Sequence, residues 1–150
     1  MKKNIVIIIC VVIIIALAVT VGVLAKRQAD SAKRHEDMFR SSIEQTAYHL
    51  SRYIESGDEH EYCETLSQLE AALTISMLID GKSNTEEMLE MDLYETYGCL
   101  SLKLDKAEPY LEELHTALFE YVTNEYDHTS NGNKVIFEYK LRNFTHHVNE

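Results

Sequence analysis

The chain has 150 residues, room for one modest domain and an anchor, and it carries 25 acidic residues against 14 Lys and Arg. All 25 acids follow Arg27, where only 10 basic residues stand, a net charge of −15 for that part. A surface this acidic repels phosphate backbones and argues against nucleic acid as a partner. The charge is uneven: residues 28–54 balance four basic against four acidic, whereas residues 55–127 hold 19 acids against Lys82, Lys103 and Lys106.

The first element is the uncharged run from Ile5 to Ala25, "IVIIICVVIIIALAVTVGVLA". As a helix it measures roughly 31 Å at about 1.5 Å per residue, close to the roughly 30 Å of bilayer hydrocarbon. A core strand of roughly 4–8 residues fails on length. A cleaved export signal has the right n-region in Met1-Lys2-Lys3, and small-residue sites at Val23-Leu24-Ala25 and Ala16-Leu17-Ala18. Its apolar region is usually only about 7–15 residues, however. The reading is therefore a retained membrane helix over 4–25 in contact with the lipid bilayer, preceded by a cytoplasmic n-region at 1–3. Cys10, in mid-span after Ile9, reads as an apolar residue. Charge counted on both sides of the run favours a cytoplasmic C-terminal part. The signal-like Met-Lys-Lys start favours an extracytoplasmic one, and the latter is the expectation, with the cell membrane as the location.

Residues 26–56 form a stalk and first bundle helix. Ala25, Ala29, Ala32, Phe39, Ile43, Ala47, Leu50 and Ile54 recur at steps of three, four or seven, and Ser56-Gly57 ends the helix. The remaining helices of an acidic bundle occupy 57–127. The second starts at Asp58, with Glu61 as a capping-box partner, and carries Tyr62, Leu66, Leu69 and Leu73. Its second half, "AALTISMLI" from Ala71 to Ile79, is apolar nearly all round and should be the most buried. Asp80-Gly81-Lys82-Ser83 is a turn, and Ser83 with Glu86 makes an S-x-x-E box. The third helix carries Leu89, Leu93, Tyr97, Leu100 and Leu104, with Gly98 inside it. Asp105 and Glu108 read as the next cap, with Pro109 in the first turn. The fourth helix runs to about Tyr126 with Leu111, Leu114, Leu118 and Tyr121 inward. The remainder, 128–150, is loop and C-terminal segment. Within it "DHTSNGN" from Asp127 to Asn133 is a loop, and 134–148 alternates like a strand but also fits a helix through Phe137, Leu141, Phe144 and Val148. No second strand could pair with it, so it reads as a short fifth helix.

The fold class predicted is all-α: an N-terminal transmembrane helix, then an antiparallel bundle of about four helices and a short C-terminal helix. In outline this resembles the membrane-proximal helical sensor regions of bacterial chemoreceptors, without their second span or output domain.

Motifs for catalysis are scarce. There is no Gly-rich phosphate loop, nucleophile elbow or HExxH. Cys63 and Cys99 form the candidate disulfide. An antiparallel hairpin turning near 82–83 sets Cys63 level with residue 102, about 4.5 Å along the axis from Cys99, and two buried free thiols are the other reading. Glu112 and His115 form an E-x-x-H, which Glu125 and His128 repeat. The spacing resembles one element of the di-iron carboxylate bundles, which need two such motifs on different helices, so exposed polar residues are the simpler reading. The cluster Asp58, Glu59, His60, Glu61, Cys63 and Glu64 reads as capping and solvated face rather than a cation site, and His146-His147 as a solvated pair. Tyr48, Tyr53, Tyr62, Tyr94, Tyr97, Tyr110 and Tyr121 suit the edge of a core better than a ligand pocket. No catalytic residue, metal site or cofactor is assigned. The expected role is a non-catalytic interaction or scaffold module with a protein partner. A ligand-binding sensory module is the alternative, and a metal-binding enzyme the third.

Overall fold

A computed structural model describes the backbone of residues 2–78, 84–123 and 131–150, and side chains over 14–78, 89–123 and 135–150. All its elements are helical: α1 Lys2–Ser56, α2 Glu59–Ser76, α3 Asn84–Leu102, a short α4 Leu104–Ala107, a 3-10 turn Glu108–Tyr110, α5 Leu111–Thr123 and α6 Asn131–Asn149. Its contacts divide the chain into two units, Met1–Arg34 and His35–Glu150.

The expectation of a transmembrane helix over 4–25 is corrected here. Among the described residues no helix is long and apolar enough to cross a membrane. Residues 1–13, including Cys10, lie outside the described side chains. Lys26, Arg27 and Asp30 follow the apolar run in the same helix. Ile14, Leu17, Val21 and Leu24 of this unit are exposed.

The second unit is a bundle. Phe39, Ile43, Ala47 and Leu50 of α1 are buried on the expected stripe. Gly57 ends α1 as expected: at φ +68 it takes the left-handed conformation open to glycine, and its N–H donates to the Tyr53 carbonyl at 2.7 Å. Asp58 then caps α2 by accepting from the His60 N–H at 2.9 Å. The capping box is not completed, because the Glu61 carboxylate turns instead to His49 and Arg52.

The second half of α2 is less buried than its composition suggests. Ala72, Leu73 and Ile75 are buried, while Thr74, Met77 and Leu78 are exposed and Ile79 lies outside the described residues. The Asp80–Ser83 turn and the Ser83/Glu86 box also lie outside the described residues. Leu89, Leu93 and Leu100 of α3 are buried as predicted. The Asp105/Glu108 cap is corrected. Lys103, at φ −138 and ψ 37, breaks the chain after α3, and α4 starts from it without a side-chain cap. Pro109 then falls in the 3-10 turn that leads into α5, where Leu111, Leu114 and Leu118 are buried. The expected fourth helix is thus three pieces.

The largest departure is the C-terminal segment. It is a 19-residue helix, not a short addition, and it opens with Asn131, Gly132 and Asn133, which the sequence assigns to a loop. Residues 127–130 of that loop lie outside the described residues. Phe137, Leu141, Phe144 and Val148 are all at most 2% exposed, so α6 is a full member of the core. Each such side chain contributes roughly 1.5–3 kcal/mol.

Side-chain contacts give the directions. His49–Glu61 and Tyr53–Tyr62 pair α1 with α2 as an antiparallel hairpin. Tyr62 donates to the Leu100 carbonyl at 2.6 Å, joining α2 to α3. Tyr121–Phe137 and Glu113–His147 set α5 antiparallel to α6. Asp92–Arg142 and Cys99–Asn149, seven residues apart on each helix, show that α3 and α6 run parallel. Phe39–Tyr121, edge to face at 6.0 Å, brings α1 against α5. The ring of neighbours is α1, α2, α3, α6, α5 and back to α1. Its one parallel pairing corrects the all-antiparallel expectation.

If α6 is a core element, Phe137→Ala costs about 3–5 kcal/mol of unfolding free energy, whereas Tyr139→Ala on its outer face stays within about 0.5 kcal/mol. Urea denaturation of the two variants checks this, and equal losses would contradict the packing.

Candidate functional site

The titratable groups of the bundle gather at two seams and on one hairpin. At the first seam, α1 against α2, His49 Nδ1 donates to Glu61 Oε2 at 2.7 Å and Arg52 Nε to Glu61 Oε1 at 3.1 Å. The His49 hydrogen bond is the main influence holding the Glu61 carboxyl below its ordinary range. Tyr48 stands edge-on to His49 and under the Arg52 guanidinium.

At the second seam, α3 against α6, Arg142 Nε donates to both carboxylate oxygens of Asp92 at 3.0 Å. Its Nη2 lies 3.7 Å from the buried Glu138 one turn away. Burial pushes the Asp92 carboxyl up, and Arg142 opposes that rise without cancelling it. Sequence reasoning missed this seam. The available signal was Asp92 itself, an acid on the same face as Leu89, Leu93, Thr96 and Leu100. The buried hydroxyls of Thr46, Thr65 and Thr96 each donate to the carbonyl four residues earlier and need no other partner.

The candidate residues fall as follows. Cys63 is exposed on α2 and Cys99 buried on α3, both as free thiols. Asn149 Nδ2 approaches Cys99 Sγ at 3.9 Å, and burial raises the Cys99 thiol above its ordinary value. Glu112 is exposed, and His115 stacks on Phe119. Among the described residues no three His, Cys, Asp or Glu are grouped so as to hold a metal ion; Glu125 and His128 lie outside them. In the Asp58–Glu64 cluster, Asp58 is a cap and Glu61 half of an ion-pair seam. His147 is not merely solvated: it stacks on Tyr110 at 5.1 Å and hydrogen-bonds Glu113, while the exposed His146 pairs with Glu150. Tyr53, Tyr97, Tyr110 and Tyr121 pack against the core. Burial pushes Tyr62 and Tyr121 up to about 12. Tyr48 and Tyr94 are exposed, contrary to the core-edge reading.

The feature left outside these contacts is the outer face of α3. Met91, Tyr94 and Leu102 are 62%, 66% and 82% exposed. With Gly98 they recur at steps of three, four and four, so the four share one face. A Cβ at Gly98 would meet nothing within 4 Å. Glycine there costs the helix about 1 kcal/mol relative to alanine, and among the described residues no close packing accounts for it. The hairpin carrying this face is uniformly acidic: α2 and α3 hold nine Asp and Glu and no Lys or Arg.

Comparison with known proteins returns nothing: no protein-family model, curated protein or solved structure matches the chain. The site is therefore read from its own chemistry.

Two outcomes follow. The Glu61 contribution to stability is present above the ordinary glutamate value of 4.5 and is lost as pH falls through its lowered value. Asp92 has the opposite sign: its contribution is complete below the ordinary 3.8 and is lost as pH rises through the raised value. Urea titrations between about pH 3 and pH 7 should show Glu61→Gln flattening the acid-side decline and Asp92→Asn steepening it. Matching effects of the two variants would refute the assignment. For the thiols, Cys63 should label rapidly with a maleimide in the native chain and Cys99 only after unfolding. A chain in which neither labels without reductant would instead be bridged.

Proposed function

We propose that the acidic bundle is a non-catalytic interaction module that holds a protein partner. The observation that carries the reading is the alignment of three large, strongly exposed apolar side chains, Met91, Tyr94 and Leu102, along one outer face of α3. Single exposed apolar residues are ordinary on a protein surface, but an aligned series on an otherwise charged face suits a binding surface. The chemistry of the remaining groups agrees with a structural use. Glu61 and Asp92 are engaged in the two seams, Glu113 and Glu120 pair with His147 and Lys140, and the two most shifted tyrosines are far from neutral pH. Charge disfavours nucleic acid and other polyanions as the partner.

Affinity capture with the tagged full chain tests the proposal. A reproducible protein partner is expected, with recovery that falls as salt is raised and drops further when Tyr94 and Leu102 are both replaced by alanine. Absence of any reproducible partner under low salt would defeat the reading.

A further inference from the structure

The exposed face of α3 combines three properties that narrow what could cover it. It is apolar along roughly 16 Å of helix, the rise from Met91 to Leu102, so its complement is an element that presents an apolar stripe over about three turns. It has a gap in that stripe at Gly98, where an approaching backbone would meet no side chain. Such a gap is what lets two helices cross at close range. It is also predominantly acidic: α3 carries Glu86, Glu87, Glu90 and Glu95 besides the inward Asp92, and α2 adds Glu59, Glu64 and Glu70 besides the paired Glu61, with Lys103 as the one cation next to the face among the described residues. A second copy of the same hairpin would set acid against acid, and a phosphate-bearing surface would be repelled in the same way. Resting on the interaction-module reading, we propose that Met91, Tyr94, Gly98 and Leu102 form a docking face for a basic amphipathic helix of a partner protein.

In that complex the partner's apolar stripe covers Met91, Tyr94 and Leu102, with the helices closest at Gly98. Its Lys and Arg residues flank the stripe and face Glu95, which is exposed beside it. An Arg placed over the Tyr94 ring adds a cation–π contact. The two seams are spared, since Asp92 is turned to Arg142 of α6 and Glu61 to His49 and Arg52 of α1.

The test uses the full chain and an 18-residue synthetic peptide of leucine and lysine with an amphipathic helical pattern, together with the same peptide carrying glutamate in place of lysine. The basic peptide should bind, and the acidic one should not. Hydrogen exchange should show protection along α3, between residues 91 and 102. Gly98→Leu should weaken binding by at least about tenfold while leaving the thermal midpoint unchanged or higher, because a Cβ there meets nothing within 4 Å and leucine favours a helix over glycine. Tyr139→Ala on α6 should leave binding unchanged. Protection mapped to another helix, or binding insensitive to Gly98→Leu, overturns the α3 site while the module reading stands. Failure of the basic peptide to bind also overturns it. The module reading falls separately, if capture returns no partner.

Discussion

The bundle depends on α6 lying between α3 and α5 in one register. Its apolar stripe, Phe137 to Val148, supplies the driving force, but a stripe of leucine and phenylalanine tolerates sliding by a turn. The charged contacts do not. Arg142 meets Asp92 on one flank, while Lys140 meets Glu120 and His147 meets Glu113 on the other. A shift of one turn would leave Asp92 buried without its guanidinium, a larger loss than any rearrangement of apolar contacts would recover. Hydrophobic burial holds the helix in place, and the carboxylates select where.

Much of this was legible in the sequence. Helical periodicity located the inward faces of α1, α3 and α5, and Ser56-Gly57 marked the end of α1, because glycine at a helix end has a specific geometric role. Legibility failed where a local pattern had more than one solution. Asp58 and Glu61 have capping-box spacing, yet Glu61 gains more from His49 and Arg52 on the neighbouring helix, which no local pattern reveals. Asp105 and Glu108 resemble a cap, but Lys103 breaks the chain first. The C-terminal segment is sparsely apolar and reads as marginal alone. It is stabilised as a helix by neighbours on both sides, a tertiary effect invisible to periodicity. The long apolar run near the start was given a membrane span chiefly on its length, whereas among the described residues no helix is long and apolar enough to cross a membrane.

The surface and the interior follow different rules. Inside, carboxylates are few and each is answered by a cation or a histidine. Outside, α2 and α3 accumulate acids with no Lys or Arg among them. The sequence showed the acid excess plainly. It did not show that Tyr94 points away from the core, because tyrosine at a helical step from leucine fits either side of a stripe. Gly98 was equally ambiguous until the space around it could be seen to be open.

The parallel pairing of α3 and α6 also bears on how the bundle assembles. Its antiparallel neighbours α1–α2, α2–α3 and α5–α6 are hairpins of local contacts that can form early and rapidly. Asp92 with Arg142 and Arg40 with the Val122 carbonyl join residues 50 and 82 positions apart, and these two contacts close the ring. Such distant pairings carry a larger loop-closure cost than the contacts within a hairpin, and they raise the contact order on which folding rate depends. The bundle from His35 to Glu150 is one compact unit, and these joints tie distant parts of the chain into it. Sequence changes at those joints will reach the folding rate and the survival of the newly made chain before they alter the shape of the finished one.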